Sequence, residues 1–217
     1  MGAFGIEKMN RVFDKAILRD LINSSKQMKE DCIKNCKPLK NCENKISNRL
    51  VEKYLKSTKN ALFLYRRESS TGYNEDTDDY EGRADIEVIS CDNFRDDKIY
   101  HVIECKRIDG SSDLNRKYVN EGISRFFTPV PLPKYPSFEG RSSMFGYVVK
   151  EIDIPANAST IDGLQHKMLQ GLTVGNFVLM QKVESSYYVY ACMYDSMHTG
   201  RVKLNHLFFN FADAMDL

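Results

Sequence analysis

No stretch of the 217-residue chain stays apolar for the roughly 20 residues that a membrane helix needs. A spanning segment is therefore not expected. The N-terminal "MGAFGIEKMNRVFDK" has no long apolar core, so it does not read as a secretory signal. It also lacks the Ser or Thr that a myristoylation site carries at its sixth position. The close pair C-x2-C of zinc sites is missing. So is any glycine-rich phosphate loop, which weighs against a solute-binding or transferase domain. No internal repeat and no long linker interrupts the chain. Net charge is only +1, so binding to a polyanion would have to come from a local basic patch.

What is present is an ordinary globular composition, 42% apolar and 28% charged. Without a secretory context, Cys32, Cys36, Cys42, Cys91, Cys105 and Cys192 are expected to be reduced thiols of a cytoplasmic protein. The first three, spaced C-x3-C-x5-C, would hold zinc only with a fourth ligand such as His101. Charge is unevenly spread. Residues 1–67 hold 16 Lys or Arg and 7 Asp or Glu, whereas residues 68–97 hold 2 and 11. Such a contrast fits a polyanion-binding face beside a metal site, and equally a solvated helix beside an acidic loop.

The pattern predicts a single α/β (α+β) domain over 1–217, with a central mixed sheet flanked by helices. Residues 1–42 form an N-terminal helical extension, with the helix over 7–29. Residues 43–150 form the core. Here a helix over 43–56 leads to strands at 61–67, 84–90 and 99–108, a helix at 111–127 and a strand at 142–152. Residues 68–82 read as a polar, acidic loop. Pro129, Pro131, Pro133 and Pro136 bar helix interior between the last helix and strand. Residues 151–217 complete the sheet, with a helix at 160–171, a strand at 177–183 and a C-terminal β-hairpin turning at "HTG".

The chemistry-bearing stretch is "GRADIEVIS" followed by "HVIECKRID". Side chains alternate on a strand. Glu104 and Lys106 therefore share a face with Val102 and Ile108. Asp85, 19 residues before Glu104, approaches it if the two strands pair. Two convergent carboxylates are costly to hold together unless a cation neutralises them. A hard divalent metal does so through oxygen ligands. The bland alternative is a surface Glu–Lys salt bridge.

Asp85 followed by Glu104-Cys105-Lys106 resembles the PD-(D/E)XK signature of restriction-endonuclease-like nucleases. Ala84 stands where that signature has proline. The resemblance covers roughly residues 43–150 and implies an α-β-β-β-α-β core. It also implies Mg²⁺-dependent phosphodiester hydrolysis, with Mn²⁺ as a substitute. Asp85 and Glu104 would be the metal ligands and Lys106 the catalytic lysine.

Sites of this kind usually include a helix glutamate, and helical geometry selects it. At about 100° per residue, with Ile46 as zero, Glu43 falls at roughly 60°, inside the buried stripe of Leu50 and Tyr54. Glu52 falls at roughly 240°, towards water. Glu43 is therefore expected at the site. Lys45, Arg49, Lys53, Arg66 and Arg67 are the expected nucleic-acid patch. Lys117 and Arg125 would touch phosphate from the helix after the active-site strand. His198 or His206 is a further candidate base. The expected function is a metal-dependent endonuclease, favouring DNA over RNA, in restriction, phage defence or repair. A homodimer would suit a double-strand cutter. The alternative is a catalytically inactive nucleic-acid-binding or protein-interaction module on the same fold.

Overall fold

The computed structural model describes residues 3–58, 62–74, 79–91, 100–127, 135, 140–197 and 199–216. His198 and the four prolines of 128–139 lie outside the described residues, as does most of the connection between the second and third strands.

Helix α1 spans Ala3–Lys34 and buries Ile17, Leu21, Met28 and Cys32. Helix α2, Glu43–Arg49, continues as a π-helical segment, Leu50–Leu55, that buries Leu50, Val51, Tyr54 and Leu55. Strands β1 (Phe63–Asn74), β2 (Asp79–Ser90) and β3 (His101–Ile108) follow. Helix α3 spans Ser112–Asn120, its first turn capped by Ser111, which accepts from the Leu114 amide. Strand β4 is Arg141–Val148, helix α4 Ile154–Met168, and strands β5 to β8 are Thr173–Val174, Val178–Val183, Tyr187–Ser196 and Gly200–Asn210.

All eight strands join one sheet in the order β1-β2-β3-β4-β8-β7-β5, with β6 also on β7. The β1–β2 and β2–β3 pairs are antiparallel, whereas β3–β4 and β4–β8 are parallel. One face of the sheet, with Ile103, Phe145, Leu207 and Phe209, packs against Ile17, Leu21, Ile46 and Leu50. The other, with Val102, Ile108, Met144 and Leu204, packs against Tyr118, Val119, Ile123 and Ile161. The fold is therefore mixed α/β, with helices over both faces of a mixed sheet.

Five expectations change. Residues 68–74 and 79–83 are not loop. They extend β1 and β2 into a long hairpin, paired from Ser69↔Ala84 to Asn74↔Asp79. Their sequence lacks the apolar alternation that reveals a half-buried strand. The expected helix over 111–127 stops at Asn120 and resumes as a short 3-10 turn, Ile123–Phe126. A Cβ at Gly122 would stand 2.4 Å from the Tyr118 carbonyl oxygen, a contact only glycine avoids. Strand β4 ends at Val148 rather than 152. Helix α4 begins at 154 rather than 160, because Asp153 caps the Ala156 amide at 2.9 Å and Pro155 suits a first turn. Helix α1 also runs past both ends of the expected 7–29.

Candidate metal and phosphate site

Strand β2 stays beside β3 for only three residue pairs, Ile86↔Ile103, Glu87↔Val102 and Val88↔His101. Beyond them β3 continues to Ile108 with β4 on one side. Its other edge then carries backbone amides with no strand to receive them, and such groups need acceptors. Two carboxylates supply them. The Cys105 amide donates to Asp85 Oδ2 at 2.8 Å, and the Arg107 amide donates to Glu43 Oε2 at 3.2 Å. The notch between the strands thus draws one acid from β2 and one from α2 to the edge of β3.

Glu104 and Lys106 project from β3 between them. Lys106 Nζ donates to Glu104 Oε1 at 2.5 Å, to the Cys105 carbonyl at 2.9 Å and to Glu43 Oε1 at 3.3 Å. That engages all three of its protons. Glu104 is fully buried, and its Oε1 also accepts from Arg125 Nη1 at 2.8 Å. Its other oxygen, Oε2, is buried with no hydrogen-bond partner among the described residues. Burial, reinforced by the charge of Asp85, pushes the Glu104 carboxyl up to about 7 against the pull of Lys106 and Arg125. Burial works against the Lys106 ammonium. The carboxylates of Glu104, Glu43 and Asp85 outweigh it and hold Lys106 above the ordinary lysine value.

Supporting contacts set the positions of these groups. Tyr147 donates from its hydroxyl to Cys105 Sγ at 3.1 Å and accepts from Ser47 Oγ at 2.9 Å. Ser47 lies one turn after Glu43 on α2, so this buried chain ties the helix to β3 and β4 beneath the site. Arg67 donates to Asn48 Oδ1 at 2.8 Å and to the Asp85 carbonyl, joining α2 to the root of the hairpin.

A cleft of about 510 Å³ opens over this cluster, lined by Glu43, Asp85, Lys106 and Arg125 together with Lys117 and Glu121. Glu104 is not among its lining residues. A scan against protein-family models finds no match, and searches of curated proteins and of solved structures return no significant one.

Asp85, Glu104, Lys106 and Glu43 therefore converge, and Arg125 and Lys117 join them at the cleft. Glu104 and Lys106 do form an ion pair, but a buried one, unlike the surface salt bridge that the sequence also allowed. Glu52 faces water, paired with Lys56 at 2.7 Å. The other basic candidates do not gather at the cleft. Arg67 is nearly buried and engaged as described. Arg49 donates to Cys32 Sγ and to the carbonyls of Lys37 and Pro38, and with Lys53 lines a separate depression of about 130 Å³. Lys45 and Arg66 are exposed, and Arg66 lies 3.8 Å from Glu87. His206 is fully buried between the hydroxyls of Tyr118 and Tyr194, and burial lowers its pKa to about 3. A base held there cannot reach the cleft.

None of the six cysteines forms a disulfide. Among the described residues, no group of three or more His, Cys, Asp or Glu side chains is arranged to hold a metal ion. A Mg²⁺ site makes a smaller demand, one or two carboxylates and several waters. The orphaned Oε2 of Glu104, the neighbouring carboxylate of Asp85 and an all-oxygen donor set fit that demand. No helix among the described residues is long and apolar enough to cross a membrane.

Sequence reasoning missed Tyr135, whose hydroxyl accepts from Arg125 at 3.1 Å and donates to the Arg83 carbonyl at 2.9 Å. It lies in the proline-rich stretch, where no periodicity marks it. Asn41, Cys42, Asn44 and Arg107 also line the cleft. Only their nearness to Glu43 and Lys106 in sequence could have suggested them.

Proposed function

We propose that the protein is a divalent-metal-dependent nuclease of the restriction-endonuclease-like kind, hydrolysing phosphodiester bonds of nucleic acid, DNA in preference to RNA. The observation that carries this reading is the convergence of Asp85, Glu104, Lys106 and Glu43 on the uncovered edge of β3. The strand relationships support it: an antiparallel β1-β2-β3 run, then a helix, then β4 parallel to β3. A preceding helix supplies Glu43.

Asp85 and Glu104 would hold the ion. Mg²⁺, when bound, supplies Lewis-acid polarisation of a phosphoryl oxygen. Lys106 brings a fixed positive charge to the cleft wall, where negative charge grows on the phosphate during attack. Glu43 orients that ammonium and also holds the β3 backbone in place. Lys117 and Arg125 would take flanking phosphates. Cutting both strands of a duplex calls for two such sites, and a homodimer is part of the proposal.

The test is incubation of supercoiled plasmid and of single-stranded DNA and RNA with Mg²⁺ or Mn²⁺. Wild type should cut, and Asp85→Ala, Glu104→Ala and Lys106→Ala should not. No metal-dependent cleavage of any of these by wild type would leave the non-catalytic binding module as the better reading.

A further inference from the structure

Glu104 is the one acid of the cluster that the cleft does not reach. Its Oε1 is covered twice, by Lys106 at 2.5 Å and by Arg125 at 2.8 Å, and the side chain has no exposed surface. Lys106 belongs to the same strand and has other acceptors. Arg125 comes from elsewhere, the 3-10 turn after α3, and its side chain remains 31% exposed at the cleft wall. It is held from behind. Its Nη1 also donates to Tyr135, whose hydroxyl donates in turn to the Arg83 carbonyl on β2. Tyr135 is itself buried, its ring 5.3 Å from that of Phe126.

A carboxylate buried this deeply requires a counter-charge. Lys106 and Arg125 supply it together, and Arg125 is the one that comes from outside β3. An incoming ion finds Oε2 without a hydrogen-bond partner among the described residues, but Oε1 and the charge of the carboxylate already engaged. We infer that Arg125, steadied by Tyr135, is a built-in counter-cation of Glu104 that a divalent ion must displace, and that the displaced guanidinium is released into the cleft it already lines.

The inference rests on the metal site proposed above, yet it concerns ion binding and needs no cleavage. Arg125 leaves a short, charge-assisted hydrogen bond when the ion enters, and that loss weakens apparent affinity. Removing the guanidinium should therefore strengthen ion binding, the reverse of what loss of a merely structural ion pair would do.

Calorimetric titration of Mn²⁺ into the full chain tests this, at about pH 8.5 so that Glu104 is ionised in each variant. Arg125→Gln should bind Mn²⁺ roughly tenfold more tightly than wild type. Tyr135→Phe, which keeps the charge but frees its tether, should shift affinity the same way by a smaller factor. It also keeps the test open if Arg125→Gln fails to fold. Unchanged or weaker Mn²⁺ binding in the folded variants overturns the inference, as does absence of Mn²⁺ binding by all three proteins. The expected order of affinities in a protein that cuts no nucleic acid would sustain the inference while the nuclease reading fell.

Discussion

The amide of Cys105 donates to Asp85 Oδ2 at 2.8 Å, where a neighbouring strand's carbonyl would ordinarily stand. Asp85 is thus a backbone acceptor as well as a candidate metal ligand, and the two roles separate by mutation. Asp85→Ala relieves repulsion with Glu104 but orphans the amide. Asp85→Asn relieves the same repulsion and retains an acceptor oxygen. We expect Asp85→Asn to be more stable than Asp85→Ala by about 1–2 kcal/mol in metal-free buffer. Both should lose metal-dependent cleavage. Equal denaturation midpoints would show that the amide finds another acceptor.

Glu43 meets β3 in the same manner, through the Arg107 amide, and meets Lys106 at 3.3 Å. Glu52, on the same helical run, pairs with the exposed Lys56. Surface pairs of that kind contribute about 0.3–0.5 kcal/mol. Glu43→Gln should therefore lower the cleavage rate at saturating Mg²⁺ by roughly tenfold or more. Glu52→Gln should leave it within about twofold. A large loss for Glu52 and none for Glu43 would sink the assignment.

The site also sets a pH dependence. Burial first, then Asp85, raises the Glu104 carboxyl from 4.5 to about 7, so the folded chain binds this proton more tightly than the unfolded chain. The resulting stability is fully present below about 4.5 and is lost as pH rises through about 7. The loss is on the order of 3 kcal/mol. Glu104→Gln carries no such proton, so its stability should fall less across that window. Urea denaturation of both proteins with a chelator present, at about pH 5 and about pH 8, measures the difference. Parallel losses in the two proteins would mean that Glu104 does not titrate there.

The parts of this site that were legible in the sequence follow local periodicity. Strand alternation puts Glu104 and Lys106 on one face, and helical angle puts Glu43 on the inward side of α2. The rest depends on contacts between distant segments. Tyr135 reaches Arg125 and Arg83 from a stretch with no repeating pattern. Arg67, which reads as a surface cation, is drawn inward by Asn48 and the Asp85 carbonyl. At the break after α3, Gly122 sits so close to the Tyr118 carbonyl that a Cβ would not fit. The hairpin beyond Ser69 shows no apolar alternation, and its register is set by backbone pairing between β1 and β2. Asp153 and Pro155 mark the start of α4, ahead of the expected 160.

The last expectation concerns where nucleic acid would lie. Lys117 lines the cleft, half-exposed and bonded to Asp113 at 2.9 Å, one turn earlier on α3. A phosphate competes well for such a lysine, because the exposed pair it must disrupt is weak. Lys53 lies instead beside the depression formed with Asp31, Arg49 and Tyr54, away from the acids of the cleft. Each phosphate contact releases condensed counterions, so the slope of log affinity against log salt counts contacts. With duplex DNA and a chelator to prevent cleavage, Lys117→Ala should reduce that slope by about 1, weakening all sequences alike. Lys53→Ala should leave the slope unchanged. Arg49 is a poor probe because its removal strips hydrogen bonds from the carbonyls of Lys37 and Pro38. A slope that falls for Lys53→Ala and not for Lys117→Ala would move the interface to the α2 side and leave the cleft without its phosphate contacts.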